Sequence, residues 1–201
     1  MLPLAKEIKD FKIELKEKRI LRLIGHRQKI VNASLEKLII EEKKKLSHLL
    51  HPASVYMIID YEKTNKHPIF NNATKVALCI CTIGLGLEKE VENLIKRNDL
   101  LRALILDSLG SESVEEVAIH SDRKIAEEAL TMHLWPSKRF SPGYREWDLK
   151  EQQFIFKMLP AKKIGVKLNE SCMMIPRKSI SFRVNFYDDR KLTTRKIGWN
   201  K

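Results

Sequence analysis

Three cysteines, Cys79, Cys81 and Cys172, are too few and odd in number to build a disulfide framework. Their scarcity excludes the small stapled domains of oxidising compartments and fits free thiols in a reducing one. No apolar run approaches the ~20 residues that span a bilayer, and residues 1–7 lack the apolar core of a signal peptide. These absences predict a cytoplasmic protein. Metal-ligand clusters are missing as well. Cys79 and Cys81 stand two apart on a predicted strand, which is not zinc-knuckle spacing and suits small buried hydrophobes. His48 and His51 have no third ligand nearby. There is no P-loop lysine, no three-glycine dinucleotide fingerprint, no internal repeat and no low-complexity tract. What is present is a chain of 201 residues, 43% hydrophobic, enough to bury a core as one substantial domain or two small ones.

A formal net charge of +12 gives a field that attracts acidic partners over about one Debye length. Nucleic acid, an anionic membrane surface and an acidic protein all qualify. Much of the charge lies in mixed-sign runs such as Glu41-Glu42-Lys43-Lys44-Lys45, the mark of a solvated helix face. The tail over 190–201 differs, because Arg190, Lys191, Arg195, Lys196 and Lys201 meet no acid after Asp189, and it reads as a basic arm. Few aromatics interleave the basic runs and no nucleic-acid recognition motif is present. Nucleic-acid binding is therefore the alternative reading, marked by a steep salt dependence.

Hydrophobic spacing orders the elements. Leu4, Ile8, Phe11, Leu15, Leu21 and Ile24 recur at helical spacing and predict an amphipathic helix over 4–24, broken near Gly25. Ser34 is the expected N-cap of a second helix, ended by His51-Pro52. Residues 54–60 and 74–82 are β-branched, apolar runs that predict an antiparallel pair of strands. After Gly84 and Gly86 a helix follows, with Leu87, Val91, Leu94 and Ile95 on one face. Strand, glycine turn and helix can present backbone N–H groups to an anion, so Thr82 and Gly84 join the candidate site residues beside the alternative of a plain turn. Residues 100 to about 130 predict one long helix. Gly110 in its middle costs about 1 kcal/mol against alanine, which implies a helix joint, a close helix contact or a ligand against the small residues around Asp107. Asp148 and Glu151 have capping-box spacing before a short helix that Pro160 closes. Short extended pieces over 164–168 and 172–176 precede Ile180, Phe182, Val184 and Phe186, whose alternation predicts a half-buried strand.

One stretch stands apart. Arg139-Phe140-Ser141-Pro142-Gly143-Tyr144 puts a Pro-Gly turn between a guanidinium and a phenol. Arginine offers a planar fork of donors suited to a carboxylate or phosphate, and Gly143 keeps a side chain off the turn. The spacing Arg139-x-x-x-Gly143-Tyr144 resembles a signature of the activation (reactivation) domain of cobalamin-dependent methionine synthase. Other segments match in the same order: the Cys81-Thr82-Ile83-Gly84 turn, the small-residue helix of Asp107 to Ser111 with Glu115, Gln152 to Leu159, Ile164-Gly165-Val166, and 168–181. The likeness runs from about residue 21 to 186.

The resemblance implies an α+β fold, a twisted antiparallel sheet with flanking helices, and S-adenosylmethionine as bound ligand. It further implies that an electron donor such as flavodoxin reduces an inactivated cobalamin, which the ligand then methylates. By position, Glu115, Arg139, Ser141, Gly143 and Tyr144 are its expected ligand-binding residues, with Thr82, Gly84 and Asp107 as a possible additional pocket and no catalytic residue of the chain's own. After the signature this chain carries Arg145-Glu146-Trp147, as free-standing relatives do. It lacks the cobalamin-binding Asp-x-His-x-x-Gly motif, a homocysteine zinc site and a folate barrel. The reading is a separate reactivation subunit that meets a corrinoid partner protein, with a helical extension over 1–20, the family-like unit over 21–186 and a basic tail over 187–201; beside nucleic-acid binding, a purely structural module that docks to a corrinoid protein without bound ligand is the other alternative.

Overall fold

The computed structural model describes residues 3–25, 32–64, 70, 73–144 and 147–188. Its centre is a five-stranded antiparallel sheet in the order β1-β2-β3-β7-β4, formed by β1 (Lys6–Ile8), β2 (Ala53–Asp60), β3 (Lys75–Thr82), β7 (Ser179–Tyr187) and β4 (Trp135–Pro136). β2 and β3 pair along their full length, from Ala53 opposite Thr82 to Asp60 opposite Lys75, as their apolar runs predict. β3 then pairs with β7, with Cys79 opposite Phe182 and Leu78 opposite Arg183.

Helices cover one face: α1 (Glu17–Leu23), α2 (Ala33–Leu49), α3 (Gly86–Lys96) and α4 (Leu100–Thr131). Side chains that alternate along the strands, including Tyr56, Ala77, Cys79, Cys81, Phe182, Val184 and Phe186, meet Leu87, Leu106, Leu109, Val117 and Ile125 in this layer. Cys79 and Cys81 are buried and free, with Sγ atoms 3.8 Å apart. The opposite face, with Val55, Met57, Val76, Leu78 and Ile80, carries a second core built on Trp147, Ile155, Leu159 and Ile164. That layer comes from α5 (Gln152–Met158), a 3-10 turn at Ala161–Ile164 and the small hairpin of β5 (Lys167–Leu168) and β6 (Met174–Ile175).

Several expectations change on contact with this packing. The helix predicted over 4–24 is confined to α1. Lys6–Ile8 instead forms the edge strand on β2, and Phe11, Ile13 and Leu15 pack half-buried with exposed residues between them. Burial there has period two, which brings in Ile13, where the helical spacing links only Phe11 and Leu15. The N-cap of α2 is Asn32, whose side chain accepts from Ser34 N at 2.8 Å, so Ser34 is the receiver and not the cap. Asp148 caps Lys150 N at 2.8 Å and opens a 3-10 turn at Leu149–Glu151 ahead of α5. Ile95 is 52% exposed, off the face of Leu87, Val91 and Leu94. Leu101, Leu104 and Leu130 on α4 are exposed too. β7 is buried on both faces, because Ser181, Arg183 and Asn185 look into the second core. The basic tail from Arg190 lies outside the described residues. Among the described residues no helix is long and apolar enough to cross a membrane.

Gly110 does not break α4, which runs unbroken for 32 residues. A Cβ there would lie 2.6 Å from Leu87 Cδ2, so the glycine admits α3 against α4. Gly86 is tighter, since a Cβ would come 2.5 Å from the backbone oxygen of Leu49. Alanine at the start of a helix is ordinarily favourable, but here backbone must move. Gly86→Ala is expected to lower stability by about 1–3 kcal/mol, the usual cost of overpacking, measured as a shift in urea midpoint at unchanged m-value.

Candidate functional site

A cleft of about 680 Å³ opens between α4, the 139–144 loop, the start of α5 and the β6–β7 connection. Glu115 of α4 forms one wall, and Arg139, Phe140, Ser141, Pro142 and Tyr144 form another. Gln152, Met173, Met174, Arg177 and Ser179 to Ser181 complete it with Leu149.

Each wall has a local cause. Glu115 projects from a helix held to the core through Val114, Val117 and Ala118. The 139–144 loop is stitched to β7 at Phe140, whose N–H donates to Arg183 O and whose carbonyl accepts from Arg183 N, both at 2.9 Å. Its far end closes on Trp147, which accepts Gly143 N at 2.7 Å and donates to Tyr144 O at 3.1 Å. Gly143 has φ +86°, a conformation that side chains disfavour. A Cβ there would face Leu149 at 3.4 Å, so backbone conformation, more than clearance for a ligand, explains the glycine. Asn169 shapes the wall of Met173 and Met174: its side chain accepts from Ser171 N at 3.0 Å and from Met173 N at 2.8 Å. Arg177 stands at the rim, its segment held where Glu88 Oε1 accepts Lys178 N at 2.7 Å.

Arg139 Nη2 donates to Glu115 Oε1 in a half-buried ion pair. Its guanidinium also lies 5.8 Å from the centroid of Phe182, a contact that fixes its plane. One further acid feels it. Burial raises the pKa of Asp122, two turns along α4 from Glu115, and the charge of Arg139 opposes that rise. Tyr144 is 67% exposed at the mouth.

Of the residues singled out from sequence, Glu115, Arg139, Ser141 and Tyr144 line one cleft, and Gly143 shapes its loop. Thr82, Gly84 and Asp107 do not line it. Thr82 is buried and its hydroxyl accepts from Ser179 Oγ at 3.0 Å and Gly84 N at 3.1 Å. Gly84 turns with φ +78° against His51, and Asp107 pairs with Lys178 at 2.8 Å. Sequence reasoning passed over Phe140, Gln152, Met173, Met174 and Arg177 as site residues. Phe140 lay inside the signature, and the doubled methionine beside a turn was the available signal for the second wall.

Residues 51–187 match the family model described as vitamin B12 dependent methionine synthase, activation domain. Among solved structures the chain is similar to a crystal structure of the MetH reactivation domain bound to AdoHcy, with a TM-score of 0.67. The match covers 92% of this chain and 79% of that one at 16% sequence identity, a likeness of fold. No curated protein matches.

The Arg139–Glu115 contact generates a direct check. A double-mutant cycle with Arg139→Ala and Glu115→Ala, read by chemical denaturation, is expected to give a coupling of about 1 kcal/mol, the scale of a half-buried pair.

Proposed function

Because the chain belongs to the family of vitamin B12-dependent methionine synthase activation domains, we propose that its cleft binds S-adenosylmethionine and presents it to a cobalamin carried by a corrinoid protein. The observation that carries this reading is the meeting of Arg139 and Glu115 in a cleft that the signature loop encloses. An amino-acid ligand brings a carboxylate and an ammonium side by side, and a guanidinium beside a carboxylate complements them.

The remaining walls suit the rest of such a ligand. Phe140 and Tyr144 offer ring faces to an adenine, and Met173 and Met174 supply polarizable surface. Ser141 brings backbone and hydroxyl groups within the loop. The volume falls in the ~300–1,000 Å³ range of small-molecule sites. S-adenosylmethionine, when bound, supplies a sulfonium-activated methyl group. This chain's residues bind and orient it: Arg139 and Glu115 hold the amino-acid end, the loop backbone sets its depth, and Tyr144 screens one side of the mouth from water.

In the same reading the protein is a separate subunit that supports reductive reactivation of a cobalamin-dependent methionine synthase or a related corrinoid methyltransferase in the cytoplasm. The unit over 21–186 carries the site, with 1–20 and 187–201 as extensions. A net charge of +12 favours docking of an acidic electron donor such as flavodoxin.

Calorimetric titration with S-adenosylmethionine tests this. Saturable binding is expected, weakened at least tenfold by Arg139→Ala with the circular dichroism spectrum unchanged. Absence of binding to the unaltered protein, alone and with a corrinoid protein added, would sink the reading.

A further inference from the structure

We propose that Arg183 is a positioning residue of the cleft that acts through Phe140; the proposal rests on the reading that the cleft binds S-adenosylmethionine. Arg183 stands in the middle of β7 opposite Leu78 and is 9% exposed. Its side chain enters the second core, where no carboxylate pairs with it among the described residues and its Nε has no hydrogen-bond partner. Desolvation pulls its pKa down to about 10, which leaves the guanidinium charged at neutral pH. A buried cation without a counter-ion is costly, and an apolar side chain of similar volume avoids that cost. The charge therefore needs a reason.

Its surroundings supply one. The guanidinium lies 5.2 Å from the ring centroid of Phe140, 5.6 Å from that of Trp147 and 5.7 Å from that of Phe70. Phe140 and Trp147 are themselves stacked, 6.0 Å apart and 10° from parallel. Those two rings sit at the two ends of the ligand loop. Phe140 lines the cleft and exchanges both backbone hydrogen bonds with Arg183, while Trp147 receives Gly143 and holds Tyr144 through its main chain. One guanidinium thus lies against both fastenings.

Successive loop residues also grip β7 from opposite sides. Arg139 lies over Phe182 on the helix-covered face, and Phe140 lies against Arg183 on the other. The loop can rotate about the strand only if one of these cation–ring contacts opens. Rotation would carry Arg139 away from Glu115 and Ser141 away from the cleft wall. A neutral side chain at 183 would keep the core filled but release the ring planes, since the attraction to the ring faces requires charge.

The test is titration of S-adenosylmethionine into the full chain and its Arg183→Met and Arg183→Lys variants, at a temperature where urea melts show all three folded. The expected result is an affinity loss of at least tenfold in Arg183→Met and recovery to within about threefold in Arg183→Lys, which restores charge without the planar fork. A methionine variant that binds like the unaltered protein would overturn the proposal. So would equal losses in both variants, because the charge would then not be what positions the loop. If Arg183→Met does not fold, Phe70→Leu decides, as it thins the ring enclosure away from the cleft: weakening of about threefold is expected, and unchanged affinity overturns the proposal. Failure of the unaltered protein to bind, alone and with a corrinoid protein added, overturns the underlying reading of the cleft, and this role with it.

Discussion

β7 must be a central strand, covered on both faces, while one of those faces carries Ser181, Arg183 and Asn185. Buried polar groups left without partners cost about 1–3 kcal/mol each, so the layer laid over that face has to answer them. Ser181 Oγ donates to Gln152 Oε1 at 3.1 Å, and Gln152 Nε2 in turn reaches Cys172 O at 2.8 Å. Asn185 N donates to Ser137 Oγ at 3.0 Å, Asn185 O accepts from Ser137 N at 2.8 Å, and the Asn185 side chain donates to Tyr187 at 3.1 Å. Arg183 takes aromatic faces. Most of these partners come from segments that also build the cleft, the start of α5, the methionine hairpin and the loop after β4, whereas Asn185 Oδ1 and Arg183 Nε keep no hydrogen-bond partner among the described residues. The partnering of Ser181 through Gln152 and the shape of the cleft are consequently one arrangement.

On the other side of the sheet, α4 performs a similar double service. At ~1.5 Å per residue its 32 residues run roughly 48 Å, long enough to cross β2, β3, β7 and β4. Its buried stripe of Ile105, Leu109, Val117, Ile125 and Ala129 fixes its roll, and that roll decides where the acids point. Glu112 turns to Arg19, 3.3 Å away, and Glu116 to Lys16 at 3.5 Å, which ties the N-terminal segment down. Glu115 turns to Arg139 and the cleft. Desolvation raises the pKa of Glu112 against the opposing charge of Arg19, so burial outweighs pairing there.

The sequence made legible those features whose cause is local. The long apolar stripe of α4, the paired runs of β2 and β3 and the glycine turn before α3 follow from periodicity and turn chemistry that tertiary packing does not contradict. Ile8, Phe11 and Leu15 have helical spacing, but Lys6–Ile8 pairs with β2 and Phe11, Ile13 and Leu15 beyond it bury at every second residue, which no local pattern distinguishes from a helix. The alternation along β7 gave the strand and one buried face correctly; that its polar face is buried too depends on Trp147 and α5 folding back, which no window around β7 contains. At the site the signature located one wall, and the ordered likeness located Glu115. Met173, Met174 and Arg177 escaped because their place follows from the turn that Asn169 organises and from Glu88, which accepts a backbone N–H 90 residues away in sequence.

The way the 139–144 loop is fastened bears on how the protein can change over generations. Its path is set by main-chain hydrogen bonds at Phe140, Gly143 and Tyr144, by one left-handed glycine and by the cation–ring contacts at Phe182 and Phe140. None of these depends on the side chain of Ser141 or on the exposed phenol of Tyr144. Those positions are free to drift without loss of the loop's course, so a lineage can retune what the cleft accepts by single replacements while the scaffold stays under separate selection. Divergence should therefore be cheap at the rim and dear at the strand beneath it.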